Sequence, residues 1–232
     1  MASPFLTATW SNVFLATYAV PPALLAPRLP AGLALDLRGG DAFVSLVAFE
    51  FLDTRVKGVA WPGHRDFAEL NLRFYVRDGD DRGVVFIREF VPRRFVAWFA
   101  RALYNEPYRA APFVATRDDA PGRHAMTYAL RWAGRTHTIA VSAEDAPFRP
   151  PADSVEHFFK EHRWGFGRAR DGRTLRYEVE HPIWDVYPVR SFSVDVDWAA
   201  VYGDEWAFLR DAQPASVVLT AGSPVSVWPK QQ

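Results

Sequence analysis

The stretch FAELNLRFYVRDGDDRGVVFIREF, Phe67 to Phe90, constrains the fold more than any other part of the chain. Successive side chains of a strand point to opposite faces. Glu69, Asn71, Arg73 and Tyr75 therefore fall on one side, and Leu70, Leu72, Phe74 and Val76 on the other. The Asp and Gly residues between the two halves accept the tight conformations of a hairpin turn. The apolar face belongs to a core, and it is expected to pack against the helix that begins at Pro92. The other face carries a carboxylate, an amide, a guanidinium and a phenol, which suits a wet surface or the wall of an enclosed pocket.

Strand signals recur along the chain. TATWSNVFLATYAV opens it, and GGDAFVSLVAFEFLDTRV is a near-continuous run of strand formers, as in a strand buried on both faces. AMTYALRWAG and RTHTIAVSAE flank a turn containing Gly134, and RTLRYEVEHPIWDVYPVRSFSVDVDW alternates with breaks at Pro182 and Pro188. A short helix from Pro22 carries Leu24 and Leu25 until Pro30 and Gly32 stop it. A second begins at Pro92, with Phe95, Trp98, Phe99, Ala102 and Leu103 at helical spacing, and ends near Asn105 to Pro107. DSVEHFFKEH fits a third, with Asp153 as N-cap and Glu156 as its capping-box partner. GFGRARDG lacks the strand-to-helix setting of a phosphate-binding loop and reads as a turn. No repeat, linker or shift of composition divides the 232 residues. Residues 1–232 are expected to form one domain, mainly β with two or three helices (α+β).

Charge and composition exclude several functions. The 27 basic and 27 acidic residues cancel, so neither nucleic acid nor an anionic membrane is expected as a partner. There is no cysteine, hence no thiolate nucleophile, disulfide or thiolate metal site, as suits a cytoplasmic protein. No apolar run approaches the roughly 18 residues of a membrane span. His157 and His162 are too far apart to share a helix face, so no metal is expected. Phosphate-loop and nucleophile-elbow motifs are missing. What remains is a polar set in one region: Glu69, Asn71, Arg73, Arg93, Arg94, Tyr104 and Tyr108. Arginines at a helix start oppose the positive end of the macrodipole unless an anion compensates.

The segments YAVPPALLAPRLPAGLALDL, FVSLVAFEFLDTRV, FAELNLRFYV, NEPYRAAP, EHRWGF and VEHPIWDVY together resemble the YqjF-like family, a bacterial family of unestablished activity in the acetoacetate decarboxylase-like superfamily. The resemblance spans Trp10 to about Val227. It implies a partly closed, mostly antiparallel β-barrel with an internal cavity, into which the polar row of a strand can point. In acetoacetate decarboxylase a lysine after a Pro-Lys-Lys step forms a Schiff base with the substrate ketone. The matching step here looks like Pro92-Arg93-Arg94, and arginine, protonated to about pH 12, offers no free amine. None of the three lysines, Lys57, Lys160 and Lys230, stands at that step, and Ala19 follows Tyr18 where the decarboxylases carry arginine. Glu69 in the FAE step is similar to a glutamate of the decarboxylase cavity.

Two functions of different classes follow. One is a small-molecule-binding barrel for a carboxylate or carbonyl compound, without imine chemistry or a cofactor, with Trp61, Trp98, Trp164 and Trp184 as apolar walls. The other is an enzyme of the lyase or isomerase type with Glu69 as general acid or base. Asn71, Arg73, Tyr104 and Tyr108 would then contact the substrate, and Arg93 or, by preference, Arg94 would clamp its anion. A homo-oligomer is compatible with either.

Overall fold

The structure is a computed structural model describing residues 3–231, the side chain of Tyr104 excepted. In chain order it runs β1 (Leu6–Val20), α1 (Pro22–Leu25), β2 (Ala34–Leu35), β3 (Ala42–Val56), β4 (Phe67–Asp78), β5 (Asp81–Val91), α2 (Arg94–Tyr104), β6 (Tyr108–Ala110) and β7 (Phe113–Arg117). It continues with β8 (His124–Trp132), β9 (Arg135–Ala143), α3 (Val155–Lys160), β10 (Trp164–Arg168), β11 (Thr174–Glu180), β12 (Val186–Tyr187), β13 (Val189–Asp195), α4 (Trp198–Tyr202) and β14 (Ser216–Val227).

The large sheet returns on itself. Pairing runs β4, β3, β1, β14, β11, β10, β5, and β5 pairs back to β4. Two of these joints are short: β10 meets β5 in parallel over three residue pairs, and β11 meets β14 over two. The ring is therefore partly closed, as expected. Its outer face carries Phe14, Leu46, Leu70, Leu72, Phe74 and Phe90, which pack with Phe113, Tyr128, Leu130 and Ile139 of a second sheet, ordered β13, β9, β8, β7, and with Trp198, Val201 and Tyr202 of α4. The inner face carries Val13, Leu15, Val47, Phe49, Phe51 and Phe67. β3 contributes to both cores, which is why its sequence shows no polar alternation.

Several local expectations are corrected. Leu70, Leu72 and Phe74 do not pack on the helix after Pro92, because the second sheet covers that face; α2 instead puts Val96 and Ala97 into the inner cluster. That helix starts two residues after Pro92, with Arg93 as an extended N-cap. Ser154, not Asp153, caps α3, because its Oγ is the oxygen in reach of the His157 N–H, at 3.1 Å. Trp164–Arg168 is a strand rather than a turn, paired on both sides by β5 and β11. The described residues hold four short α-helices, one more than expected.

Candidate functional site

The ring and α2 enclose a cavity of about 630 Å³. The alternation in β4 puts Glu69, Asn71 and Arg73 on its wall, while Leu70, Leu72 and Phe74 face the outer core. A β-bulge then resets the neighbouring strand. Leu72 stands opposite Arg88 and Arg73 opposite Phe86, so Ile87 is the extra residue. Ile87 and Arg88 both face outward, Ile87 against the outer core and Arg88 donating to the Val201 carbonyl. Phe86 and Glu89 face the cavity.

Two further groups come from the end of α2. Asn105 takes a left-handed conformation (φ 55°) at the C-cap, and its side chain donates to the Arg168 carbonyl at 2.7 Å. The chain turns there, so that Glu106 enters the cavity and Tyr108, opposite Glu89 in a parallel pair, follows it. Asn71, Glu89 and Tyr108 thus lie side by side on β4, β5 and β6.

The three carboxylates Glu69, Glu89 and Glu106 are buried, at 3%, 1% and 6% exposure. Glu69 accepts hydrogen bonds from Tyr108 at 2.8 Å and from Asn71 at 3.1 Å, and Glu106 accepts one from Tyr177 at 3.2 Å. Desolvation pushes Glu69 up to about 7, against the pull of those two donors and the charge of Arg73. It pushes Glu106 up to about 8, with the Glu69 charge adding to the rise against the Tyr177 hydrogen bond. Glu89 stands well above the carboxylate range through burial and the charges of Glu106 and Glu69.

Basic side chains share the wall. Arg73 donates to the Phe159 carbonyl at 3.3 Å. Lys160, at the end of α3, has its ammonium buried against the Glu161 carboxylate. His162 is held well below its ordinary range by burial and by Arg73 and Arg82. Trp10, Trp61, Trp164 and Trp184 join Phe49, Phe51 and Phe67 as apolar wall. Ten buried side-chain polar atoms of the described residues lack a hydrogen-bond partner, and seven belong to cavity-lining residues. Among those seven are Asn71 Oδ1, Arg73 Nε, Glu89 Oε2 and Trp164 Nε1. Unsatisfied buried groups are rare in folded proteins and call for an explanation where they cluster.

Of the residues singled out in the sequence, Glu69, Asn71, Arg73 and Tyr108 meet at the cavity. Arg93 and Arg94 do not: both are exposed, because the residues with which α2 lines the cavity are Phe95, Val96, Phe99, Ala100 and Leu103. The Tyr104 side chain lies outside what is described. Trp98 is 63% exposed and no part of the wall. Glu89, Glu106, Tyr177, Lys160 and His162 were missed. The bulge hides Glu89 from strict alternation, whereas Glu106 and His162 stand in NEPYRAAP and EHRWGF, segments that carried the family resemblance.

Comparison with known proteins places the fold and the family. The acetoacetate decarboxylase-like enzyme of Sphingomonas wittichii aligns with a TM-score of 0.64 at 12% identity, covering 97% of this chain and 91% of that one. The enduracididine biosynthesis enzyme MppR with bound HEPES gives 0.68 at 15%, covering 100% and 88%. The acetoacetate decarboxylase of Legionella pneumophila gives 0.63 at 14%, covering 98% and 86%. In sequence, the uncharacterized protein YqjF of Bacillus subtilis is 28% identical over 180 residues, 76% of this chain and 72% of that protein. The profile of the uncharacterized conserved protein family DUF2071 matches residues 7–224. The chain belongs to the DUF2071 family, the YqjF-like branch of the acetoacetate decarboxylase-like fold.

Proposed function

We propose that the cavity binds a small, largely apolar compound bearing a carbonyl or carboxylate group. The observation that carries this reading is the gathering of unpartnered buried polar atoms on the wall of an otherwise aromatic cavity. A ligand with a polar end and an apolar body satisfies both parts of that lining. Arg73, rather than the exposed Arg94, is the planar donor for a carboxylate, and the unpartnered Asn71 Oδ1, two residues before it on the same strand face, is an acceptor suited to the hydroxyl of a hydroxy acid. Isothermal calorimetry with a panel of ketones and of keto and hydroxy acids of increasing apolar length tests this. Affinity should rise with apolar length, and Arg73→Lys should weaken carboxylates at least about tenfold, the scale of a lost charged hydrogen bond. No binding by any member of the panel would sink the proposal.

A second reading is favoured by the setting of Glu69, buried in the cavity wall against Tyr108 at 2.8 Å and Asn71 at 3.1 Å, where desolvation pushes its carboxyl up to about 7. A group with that value is present both as acid and as base near neutral pH, which is what proton transfer at a carbon beside a carbonyl requires. Exchange of that carbon-bound proton in heavy water, followed by NMR on a bound ketone, should rise with pH through about 7. Glu69→Gln should bind the same ketone and exchange nothing.

Imine chemistry is not part of the proposal. Lys160 does reach the cavity, from α3 rather than from the Pro92 step, but its ammonium is engaged by Glu161, and an imine needs the free amine. Borohydride reduction in the presence of acetoacetate should leave the mass of the protein unchanged. A stable adduct mapped to Lys160 would overturn this.

A further inference from the structure

We propose that the mouth of the cavity docks on an anionic lipid surface through the exposed face of α2. At 100° per residue, the outward side of α2 presents Trp98 between Arg94 and Arg101 on one flank and Phe95 on the other. Trp98 is 63% exposed and Phe95 43%, and Trp61, from the segment between β3 and β4, adds 50%. These rings form one patch: Phe95 lies 6.0 Å from Trp61 and 6.1 Å from Trp98, centroid to centroid. A solvated helix face is ordinarily polar, so this one is built for another contact.

Charge selects the occupant. From Arg93 to Tyr104 there is no acidic residue, and the guanidinium groups of Arg93, Arg94 and Arg101 make no hydrogen bond or ion pair among the described residues. The chain as a whole is neutral, so these three are a local concentration rather than part of a general field. Exposed aromatics with arginine on a short amphipathic helix are the composition of an interfacial helix, one that lies in the headgroup region without crossing it. Among the described residues no helix is long and apolar enough to cross a membrane. A second copy of the chain fits less well, because a two-fold contact would set the patch against itself and bring arginine against arginine.

The patch is also continuous with the cavity. Trp61 and Phe95 belong both to the exposed cluster and to the cavity lining, so an apolar molecule could pass from lipid to cavity along aromatic surface. The docking itself requires no ligand and goes beyond the reading of the cavity.

Flotation with vesicles tests it, using phosphatidylcholine alone and phosphatidylcholine mixed with phosphatidylglycerol. The wild type should float with the mixed vesicles and remain below with the neutral ones. A basic residue at such a surface is worth about fivefold in partition. Charge reversal in Arg93→Glu, Arg94→Glu, Arg101→Glu should therefore reduce binding by about a hundredfold or more. Phe95→Ala with Trp98→Ala should reduce it on the same vesicles, and exposure of all five side chains protects the fold of both variants. Three results would overturn the proposal: no flotation of the wild type, flotation unchanged in either variant, or displacement from vesicles by RNA at equal charge concentration. Concentration-dependent dimerisation that the aromatic variant abolishes, without vesicle binding, would do the same. Each of these outcomes leaves the calorimetric test of the cavity standing.

Discussion

Unfolding by urea is expected to become easier as the pH rises from about 6.5 to about 9, by on the order of 3 kcal/mol, as follows from proton linkage. The ordinary carboxyl value is 4.5, whereas burial holds Glu69 at about 7, Glu106 at about 8 and Glu89 well above its usual range. In this window the folded chain keeps protons that the unfolded chain has released. Stability from these groups is therefore complete below the unfolded value and is lost as the pH rises through the folded ones. His162 and His181 act in the opposite sense: both are lowered from 6.5, chiefly by burial, so the unfolded chain takes up protons that they refuse as the solution becomes more acidic. The stability maximum should accordingly lie on the mildly acidic side of neutral. Glu89→Gln removes one of the three ionisations and the repulsion it exerts on the other two. It should match the wild type only below about pH 4.5, where the unfolded acid is protonated too, and exceed it increasingly up to about pH 9, since an amide is the neutral isostere of the protonated acid. Parallel decline in wild type and variant, or a wild type that gains stability over the window, would refute the buried triad as the cause.

Gly165→Ala is expected to cost about 2–5 kcal/mol, the sum of an overpacking strain and an orphaned buried acceptor. A Cβ at Gly165 would stand 2.3 Å from the Tyr177 ring and 2.6 Å from its hydroxyl oxygen, far inside contact distance. Tyr177 lies directly opposite Gly165 in the β10–β11 pair, so its ring must leave, and Glu106 then loses its 3.2 Å donor. Chemical denaturation reads the loss. The double variant with Tyr177→Ala separates strain from the rest: the three atoms nearest the added methyl all belong to the Tyr177 ring and are already gone, so the two losses should fall short of additive by more than about 1 kcal/mol. Additive losses, or a Gly165→Ala protein as stable as the wild type, would mean that the strands simply spread.

The hairpin was legible in the sequence because a period of two needs only local information. Glu69, Asn71 and Arg73 share a face whatever the rest of the chain does, and the resemblance told which face encloses space. The two-sided burial of β3 was legible for the same reason. What escaped depends on contacts distant in sequence. The step Pro-Arg-Arg points to Arg94 as the anion donor, but which side of α2 faces inward is decided by how the helix crosses the ring opening, and that crossing leaves no local trace. Lys160 stands at no step the resemblance marks, yet the end of α3 delivers its side chain to the same cavity. Glu106 depends on the left-handed turn at Asn105, a conformation that asparagine tolerates without announcing it. The N-cap of α3 was misplaced by one residue because Asp153 and Ser154 are both good caps and only the geometry at His157 chooses between them.

The extra residue at Ile87 means that the chemistry of the wall depends on counting as well as on composition. With Phe86 held in place, the same residues paired without the bulge would turn Glu89 to the outer core and Phe90 to the cavity. The same letters in a straight ladder would exchange a carboxylate for a phenyl ring at the centre of the site. Relatives that close the bulge without losing a residue can therefore differ in what they bind more than relatives that differ by many substitutions, and percentage identity will not register it.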